Sequence, residues 1–280
     1  MKNITFETVK SLIPKRAIDS HKGDYGKVLA LCGSSLYRGA GALSVSGALR
    51  VGAGIVALAS EECVIESIAS LIPEAIFIPL PNDSLVLKRA AEYDCVLLGC
   101  GLPEGNETLL NVRRILCSSF GTVVLDAGAL MSCGQDLNLL KTDTKRIIIT
   151  PHMGEMARLL GRDISFLKEN AAAAARNFAL EYQVTVVLKS HKTIIASPGG
   201  ELFMNTTGNP GLAKGGSGDV LAGMIAGFAA QGLTPLESAQ AAVFLHGLAA
   251  DLTAQRKSMQ AMLPHHLFSS LEEIFLRINN

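Results

Sequence analysis

The sequence predicts one α/β domain, a largely parallel sheet covered on both faces by helices in three layers. Three observations carry this. Short, continuously apolar runs of strand length recur along the chain, stretches with helical spacing separate them, and most of the apolar runs end in a polar or glycine-rich segment. Unbroken apolar strands are buried on both faces, which a chain alternating strand and helix achieves in a parallel sheet. No linker or shift in composition divides the chain, so residues 1–280 are read as a single domain.

Residues 1–26 read as an irregular lead-in ending in the turn-rich HKGDYG. A buried strand at 27–32 (KVLALC) runs into Gly33-Ser34-Ser35. Residues 39–54 are rich in small side chains, with Leu43, Gly47 and Arg50 on one side and Ala42, Val45 and Leu49 on another. That pattern predicts a helix packed very close to its neighbours. Strand, helix and strand follow at 55–59, 61–70 and 75–80, and again at 94–98, 107–117 and 122–125. A strand at 146–149 precedes a short helix at 155–160, an Ala-rich helix at 171–181 and a strand at 184–188. Residues 193–196 and 201–204 pair as a hairpin across Ser197-Pro198-Gly199-Gly200. Helices at 217–231, 235–254 and 266–277 complete the chain.

Apolar residues make up 49% of the chain and charged residues 18%, enough for a substantial core. Lys+Arg and Asp+Glu balance at 25 each, and Trp is absent. Nothing in the composition therefore points to a nucleic acid or an anionic membrane. Cys32, Cys63, Cys95, Cys100, Cys117 and Cys133 show no C-x-x-C spacing and read as scattered buried thiols in a reducing cytosol. No signal-peptide core and no span of 18 apolar residues is visible, so a cytoplasmic protein is expected.

The chain is organised around residues 205–232, NTTGNPGLAKGGSGDVLAGMIAGFAAQG. Gly208, Gly211, Gly215 and Gly216 make a loop whose amides converge at a helix start, where the dipole favours an anion. Asp219 lies in the first turn, and Val220, Met224, Gly227 and Phe228 form one buried face. A carboxylate there is also an ordinary helix-start device, worth about 0.3–1 kcal/mol. A cap needs one residue, however, and this glycine-rich run is a dozen long. A phosphate cradle beside a lone carboxylate suggests phosphoryl transfer to a hydroxyl.

Ligands in open α/β sheets sit at the carboxyl ends of the strands. Gly33-Ser34-Ser35, Gly99-Cys100-Gly101, Asp126-Ala127-Gly128, Thr150 to Glu155 and Lys189 to Lys192 all occupy such ends. Gly99-x-Gly101 lacks the third glycine and the later acid of a dinucleotide fingerprint, and no Walker loop occurs. His152 is a candidate ligand contact and Lys189 a candidate phosphate contact. Asp126 either orients a loop or holds a metal through water. His246 is expected to be packed and hydrogen-bonded in an apolar helix, and His265-His266 to lie on the surface.

Taken together, HKGDYGKVLALCGSSLYRGAGALSVSGALRVGAG, TPHMGE, VVLKSHKT and GNPGLAKGGSGDVLAG resemble the ADP- or ATP-dependent NAD(P)H-hydrate dehydratases of the ribokinase-like superfamily. The resemblance runs in order from about His21 to Asp251. It implies a ribokinase-like three-layer fold and a metabolite-repair activity. Hydrated NADH or NADPH would be phosphorylated on its ring hydroxyl and would then lose phosphate. By this resemblance Asp219 is catalytic, with Gly215, Gly216, Ser217 and Gly218 as the anion hole. Ala40, Gly101, His152 and Asp219 would contact the hydrated dinucleotide, and Lys189, Ser190, His191, Lys192, Thr193 and Gly218 the adenine nucleotide. Magnesium and ADP or ATP are the implied cofactors, with no metal-ligating side chains assigned. A homo-oligomer is expected, a tetramer among the arrangements open to it, as is a separate NAD(P)H-hydrate epimerase chain. At a helix start Asp219 is expected to be ionised at neutral pH and hence a weak base.

Two places depart from the family pattern: Met153 stands where proline is usual, and Met262-Leu263-Pro264-His265-His266-Leu267 replaces a small-residue-plus-Asp turn. The alternative reading is a ribokinase-like kinase of a vitamin-precursor alcohol, a hydroxymethylpyrimidine or hydroxyethylthiazole. It shares the GGSGD logic, but TPHMGE and HKGDYGK favour the dehydratase. A non-catalytic nucleotide sensor on the same fold is disfavoured by the intact Asp219 and glycine loop.

Overall fold

The computed structural model describes residues 1–141 and 146–279. Its strands are β1 (Lys2–Asn3), β2 (Lys27–Leu31), β3 (Ile55–Glu61), β4 (Ile76–Leu80), β5 (Cys95–Leu98), β6 (Thr122–Leu125), β7 (Ile147–Ile149), β8 (Thr185–Leu188), β9 (Ile194–Ala196) and β10 (Leu202–Met204). They form one sheet in the order β1-β10-β9-β8-β7-β6-β5-β2-β3-β4. Every described pairing is parallel except those of β9, which runs antiparallel to both β8 and β10. The expected hairpin is therefore present, closed by Ser197 N donating to Glu201 O at 3.0 Å.

Both faces of the sheet are covered. On β2, Val28 and Ala30 point into one apolar cluster and Leu29 and Leu31 into the other. The first cluster is closed by α1 (Phe6–Leu12), α2 (Arg38–Arg50), α3 (Glu62–Ile68), α9 (Ser217–Ala230), α10 (Pro235–Ala261) and α11 (Leu267–Asn279). The second is closed by α4 (Asp83–Glu92), α5 (Asn106–Ser118), α6 (Ala127–Cys133), α7 (Met153–Leu160) and α8 (Ile164–Tyr182). No described helix is long and apolar enough to cross a membrane.

Several elements differ from expectation. The lead-in contains β1, which extends the sheet edge beside β10, and α1, capped by Thr8 N donating to Thr5 Oγ1 at 3.2 Å. A two-residue strand and a seven-residue helix are too short to show a period. The seven-residue α6 is likewise too short to show a period, and the ten-residue α4 occupies a stretch where the sequence pattern predicts no element. Helix α8 starts at Ile164 and breaks at Asn170, whose side chain donates to Phe166 O at 3.0 Å.

Helix α9 was expected to bury one face; it is buried nearly all round, because sheet, α2 and α10 enclose it. Glycines make the enclosure possible. A Cβ on Gly223 would collide with the Ser44 carbonyl, and one on Gly47 or Gly227 would press on the facing backbone. Helices α2 and α9 thus touch backbone to backbone. Gly223→Ala should cost about 1–3 kcal/mol or more, read as a lower midpoint in chemical denaturation. Gly215, with nothing within 4 Å of its would-be Cβ, should tolerate Ala to within about 0.5 kcal/mol. Equal melting of the two variants would show that the α2–α9 contact is not tight.

Candidate active site

The carboxyl ends of β5, β6, β7 and β8 and the amino ends of α2 and α9 meet at one edge of the sheet. Lys189 N donates to Pro151 O at 2.8 Å, and a bridge between His152 and Lys189 prolongs the β7–β8 pairing. Four sequence-distant segments converge there on Asp126. Its Oδ1 accepts from Thr150 Oγ1 at 2.6 Å and from Lys189 Nζ at 2.8 Å, and its Oδ2 lies 3.6 Å from the Cys100 thiol. Cys100 Sγ, an Asp126 oxygen and an Asp219 oxygen all lie within 4.8 Å of one another.

That trio is close enough to surround an ion, but it fits magnesium poorly. Magnesium wants an octahedron of hard oxygens, whereas this set includes a thiol and a carboxylate already neutralised by Lys189.

Gly216 is left-handed at φ 94°, and its missing Cβ leaves room for Leu43 and Pro264. The first-turn amides of α9 lack intrahelical partners. Ser217 Oγ is buried with no partner, and a Cβ on Gly218 would lie 3.4 Å from Lys189 Nζ, so the ammonium sits against that turn. Ala40 and Gly101 meet at the rim, where Gly101 (φ 72°) has no space for a side chain beside Ala40 and Tyr37. Ser190 to Thr193 form the turn after β8, held by Ser190 N donating to Thr193 Oγ1 at 3.3 Å; His191 and Lys192 are exposed.

His152 caps α7: its Nδ1 accepts from Gly154 N at 3.0 Å and Glu155 N at 3.1 Å. Its own N–H donates to Glu155 Oε2 at 2.7 Å. In the neutral ring the proton is therefore on Nε2, so His152, its side chain 59% exposed, presents a donor and not a base.

The electrostatics correct one expectation. Asp219 is pushed up to about 6, first by burial and then by the Asp126 charge, against the pull of Cys100 and Lys189. Burial outweighs the helix dipole, so Asp219 is ionised at neutral pH yet a stronger base than its position implied. Burial pulls Lys189 down, but Asp126, Glu155 and Cys100 more than reverse it. His246 is packed as expected, but its buried Nε2 has no partner, and burial pushes it down to about 4. His265 is exposed as expected, whereas His266 Nδ1 accepts from Leu263 N at 3.0 Å.

Cys100 and Thr150 lie in strand-end segments that the sequence places at the site, but their roles there depend on partners that only the fold supplies. Asp251, on α10, accepts from Gly208 N at 2.8 Å and Asn209 Nδ2 at 2.9 Å and so anchors the glycine loop. The departing C-terminal segment packs on the same loop, with Pro264 against Gly216 and the Met262 sulfur against Gly211. Lys214 Nζ donates to the carbonyls of Gln260 and Met262. A cavity of about 940 Å³ opens at the opposite ends of α2 and α9, beside Leu49 and Gln231, and is separate from this site.

Comparison with known proteins places this geometry. A family model described as NAD(P)H-hydrate dehydratase matches residues 28–273. The ADP-dependent (S)-NAD(P)H-hydrate dehydratase of Bacillus subtilis is 36% identical over 282 residues, covering 98% of this chain and 97% of the relative. The bifunctional NAD(P)H-hydrate repair enzyme Nnr of Moorella thermoacetica is 38% identical over 96% of this chain, which spans only 52% of that relative's length. The crystal structure of the ADP/ATP-dependent NAD(P)H-hydrate dehydratase from Bacillus subtilis, co-crystallized with ATP/Mg2+, superimposes with a TM-score of 0.85 at 34% identity. It covers 99% of this chain and 98% of that one. The fold is ribokinase-like.

Asp219 yields a stability prediction whose sign follows from burial. A carboxyl raised in the folded state adds stability below its unfolded value of 3.8, and that stability is lost as pH rises through about 6. Asp219→Asn should therefore melt above wild type at pH 8, with the gap closing below pH of about 4. A gap independent of pH would show that the Asp219 carboxylate is not strained by burial.

Proposed function

Since the chain belongs to the NAD(P)H-hydrate dehydratase family, we propose that it is a nucleotide-dependent hydro-lyase of metabolite repair, returning hydrated NADH and NADPH to NADH and NADPH. The observation that carries this reading is the Asp219 carboxylate, held without a strong donor in the first turn of α9 beside the Lys189 ammonium, where the Gly218 and Asp219 amides have no intrahelical acceptor. A hydroxyl that approaches the cradle meets a base on one side and anion donors on the other.

In this reading the ring hydroxyl of the hydrated dinucleotide lies against Asp219, with Ala40, Gly101 and His152 along its length. The Nε2–H of His152 supplies a fixed donor. The adenine nucleotide lies over Lys189, Ser190, His191, Lys192, Thr193 and Gly218, with its terminal phosphate in the hole made by Gly215, Gly216, Ser217 and Gly218. The ring oxygen forms the new P–O bond as the bond to the spent nucleotide breaks, and the hydroxyl proton passes to Asp219. A base near pKa 6 suits that task better than an ordinary carboxylate. A loose transition state places most of the demand on amides and cations that neutralise the phosphoryl oxygens. The ring C–O bond then breaks, phosphate leaves with the electron pair, and loss of a proton from the adjacent ring carbon restores the double bond.

Magnesium is proposed to arrive on the nucleotide phosphates, since the Cys100–Asp126–Asp219 set does not suit it. The vitamin-precursor kinase reading would use the same cradle but would leave its product phosphorylated.

The test is an absorbance assay of reduced nicotinamide with hydrated NADH, magnesium and either ADP or ATP. Recovery of the signal that depends strictly on nucleotide, without retained phosphate on the product, is expected. A stable phosphorylated product from a vitamin-precursor alcohol, with no recovery from hydrated NADH, would replace the dehydratase by the kinase. Asp219→Ala and Asp219→Asn should lower turnover by about 10²–10⁴-fold while nucleotide still binds. Undiminished turnover in either variant would remove Asp219 from the reaction.

A further inference from the structure

Asp126 stands where an aspartate normally caps its own helix. It has the extended backbone of an N-cap (φ −129°, ψ 161°) before α6, yet its side chain makes no cap bond. The carboxylate turns instead into the site and is 2% exposed. The backbone is built to hold this direction. Ala127, the next residue, is left-handed at φ 42°, a strained conformation for a residue with a Cβ. Gly99 has no Cβ because one would strike the Asp126 carbonyl, and one on Gly128 would strike Leu102.

Three donors then converge on the carboxylate from three other segments: Thr150 Oγ1, Lys189 Nζ and the Cys100 thiol. The ion pair is partly shielded, the Lys189 side chain being 19% exposed. Its ammonium lies beside Gly218, at the turn where an anion would bind.

We propose that Asp126 is a positioning residue of the reaction: without touching either substrate, it holds the Lys189 ammonium at the first turn of α9, where the transferred phosphoryl group would lie. A lysine has four rotatable side-chain bonds and no intrinsic preference for that point; the buried carboxylate supplies it. The same carboxylate acts on Asp219 through space. The groups that face this pair are Lys189, Cys100 with Cys32 behind it, Glu155 beside Lys189, and His246, near both Lys189 and the Ser217 backbone. Removing the Asp126 charge takes away a negative neighbour of Asp219 and frees Lys189 to approach it. Both changes favour ionised Asp219.

The inference rests on the proposed activity, so wild-type turnover is measured first. In an active enzyme, Asp126→Asn should lower kcat by about 10–100-fold, the loss expected of one charge-assisted hydrogen bond, with KM for the hydrated dinucleotide nearly unchanged. The acid limb of its pH–rate profile should move to lower pH. The double variant Asp126→Asn/Lys189→Ala should be no slower than Lys189→Ala alone, because residues acting as one unit are not additive. Multiplying effects, or a fall in kcat with the acid limb unmoved, would overturn the assignment and leave Asp126 a structural residue.

Should Asp126→Asn fail to fold, Thr150→Val loosens the same carboxylate without removing its charge. A several-fold loss of kcat that vanishes in the Lys189→Ala background is then expected, and an equal loss in both backgrounds overturns the proposal. Absence of wild-type turnover would overturn the activity reading instead, and calorimetric titration with ATP would carry the test. Asp126→Asn and Lys189→Ala should weaken binding alike, by about tenfold, and together no further. Additive weakening would overturn the positioning role by itself.

Discussion

The backbone contact between α2 and α9 is the constraint on which the site depends. Helix α9 is apolar on every side and has the sheet, α2 and α10 around it, so it cannot rotate or slide without opening the core. Gly47, Gly223 and Gly227 let the two helix axes approach until carbonyls meet Cα atoms. Each glycine gives up helix propensity, roughly 1 kcal/mol relative to alanine, and the packing enthalpy of the close contact offsets it. What the fold gains is position. The first turn of α9 is delivered to the strand ends with little freedom, and the Ala40 end of α2 comes with it.

Electrostatics at that turn follow from the same enclosure. Two carboxylates and one ammonium lie in a half-dry pocket, so one carboxylate must go without a counter-charge. Asp126 takes the direct bonds of Lys189 and Thr150, and Asp219 is left with the Cys100 thiol and only the through-space pull of the Lys189 ammonium. An unpaired buried carboxylate is a liability for stability, and it is also a base tuned toward neutral pH. Both properties have one cause, so a change that relieves the first weakens the second. The buried, unpartnered atoms of Ser217 and His246 lie at the same end of α9, a further sign that this end is not arranged for maximal stability.

Most of the architecture was legible because period and punctuation agree along the chain. The alternating runs, the β9–β10 hairpin and the strand-end segments that meet at Asp126 all follow from patterns several residues long. Elements whose stability comes from their neighbours were not legible. The edge strand β1 exists because β10 is beside it, α1 and α6 span about two turns each, and α9 is buried all round because of α2 and α10. The site divides in the same way. Asp219 and the glycines announce themselves within one motif, whereas Cys100, Thr150 and Asp251 act through partners 24 to 43 residues away in sequence. The raised proton affinity of Asp219 could not be read either, since its cause is burial by distant segments.

The segment from Met262 to Leu267 supports the glycine loop by shape alone. The glycine loop needs support from outside, because residues such as Gly211 and Gly216 have no side chains with which to pack. Here the Met262 sulfur and the Pro264 ring provide that support, and Lys214 ties the loop to the carbonyls that close α10. None of these contacts depends on a particular functional group from the segment: a sulfur and a ring fill space, and a carbonyl belongs to any residue. A surface that recognises glycine backbones by shape can therefore change its residues as long as it keeps its contour. Asp219 differs in kind, because its raised proton affinity depends on a carboxylate held at one point beside Asp126, Cys100 and Lys189.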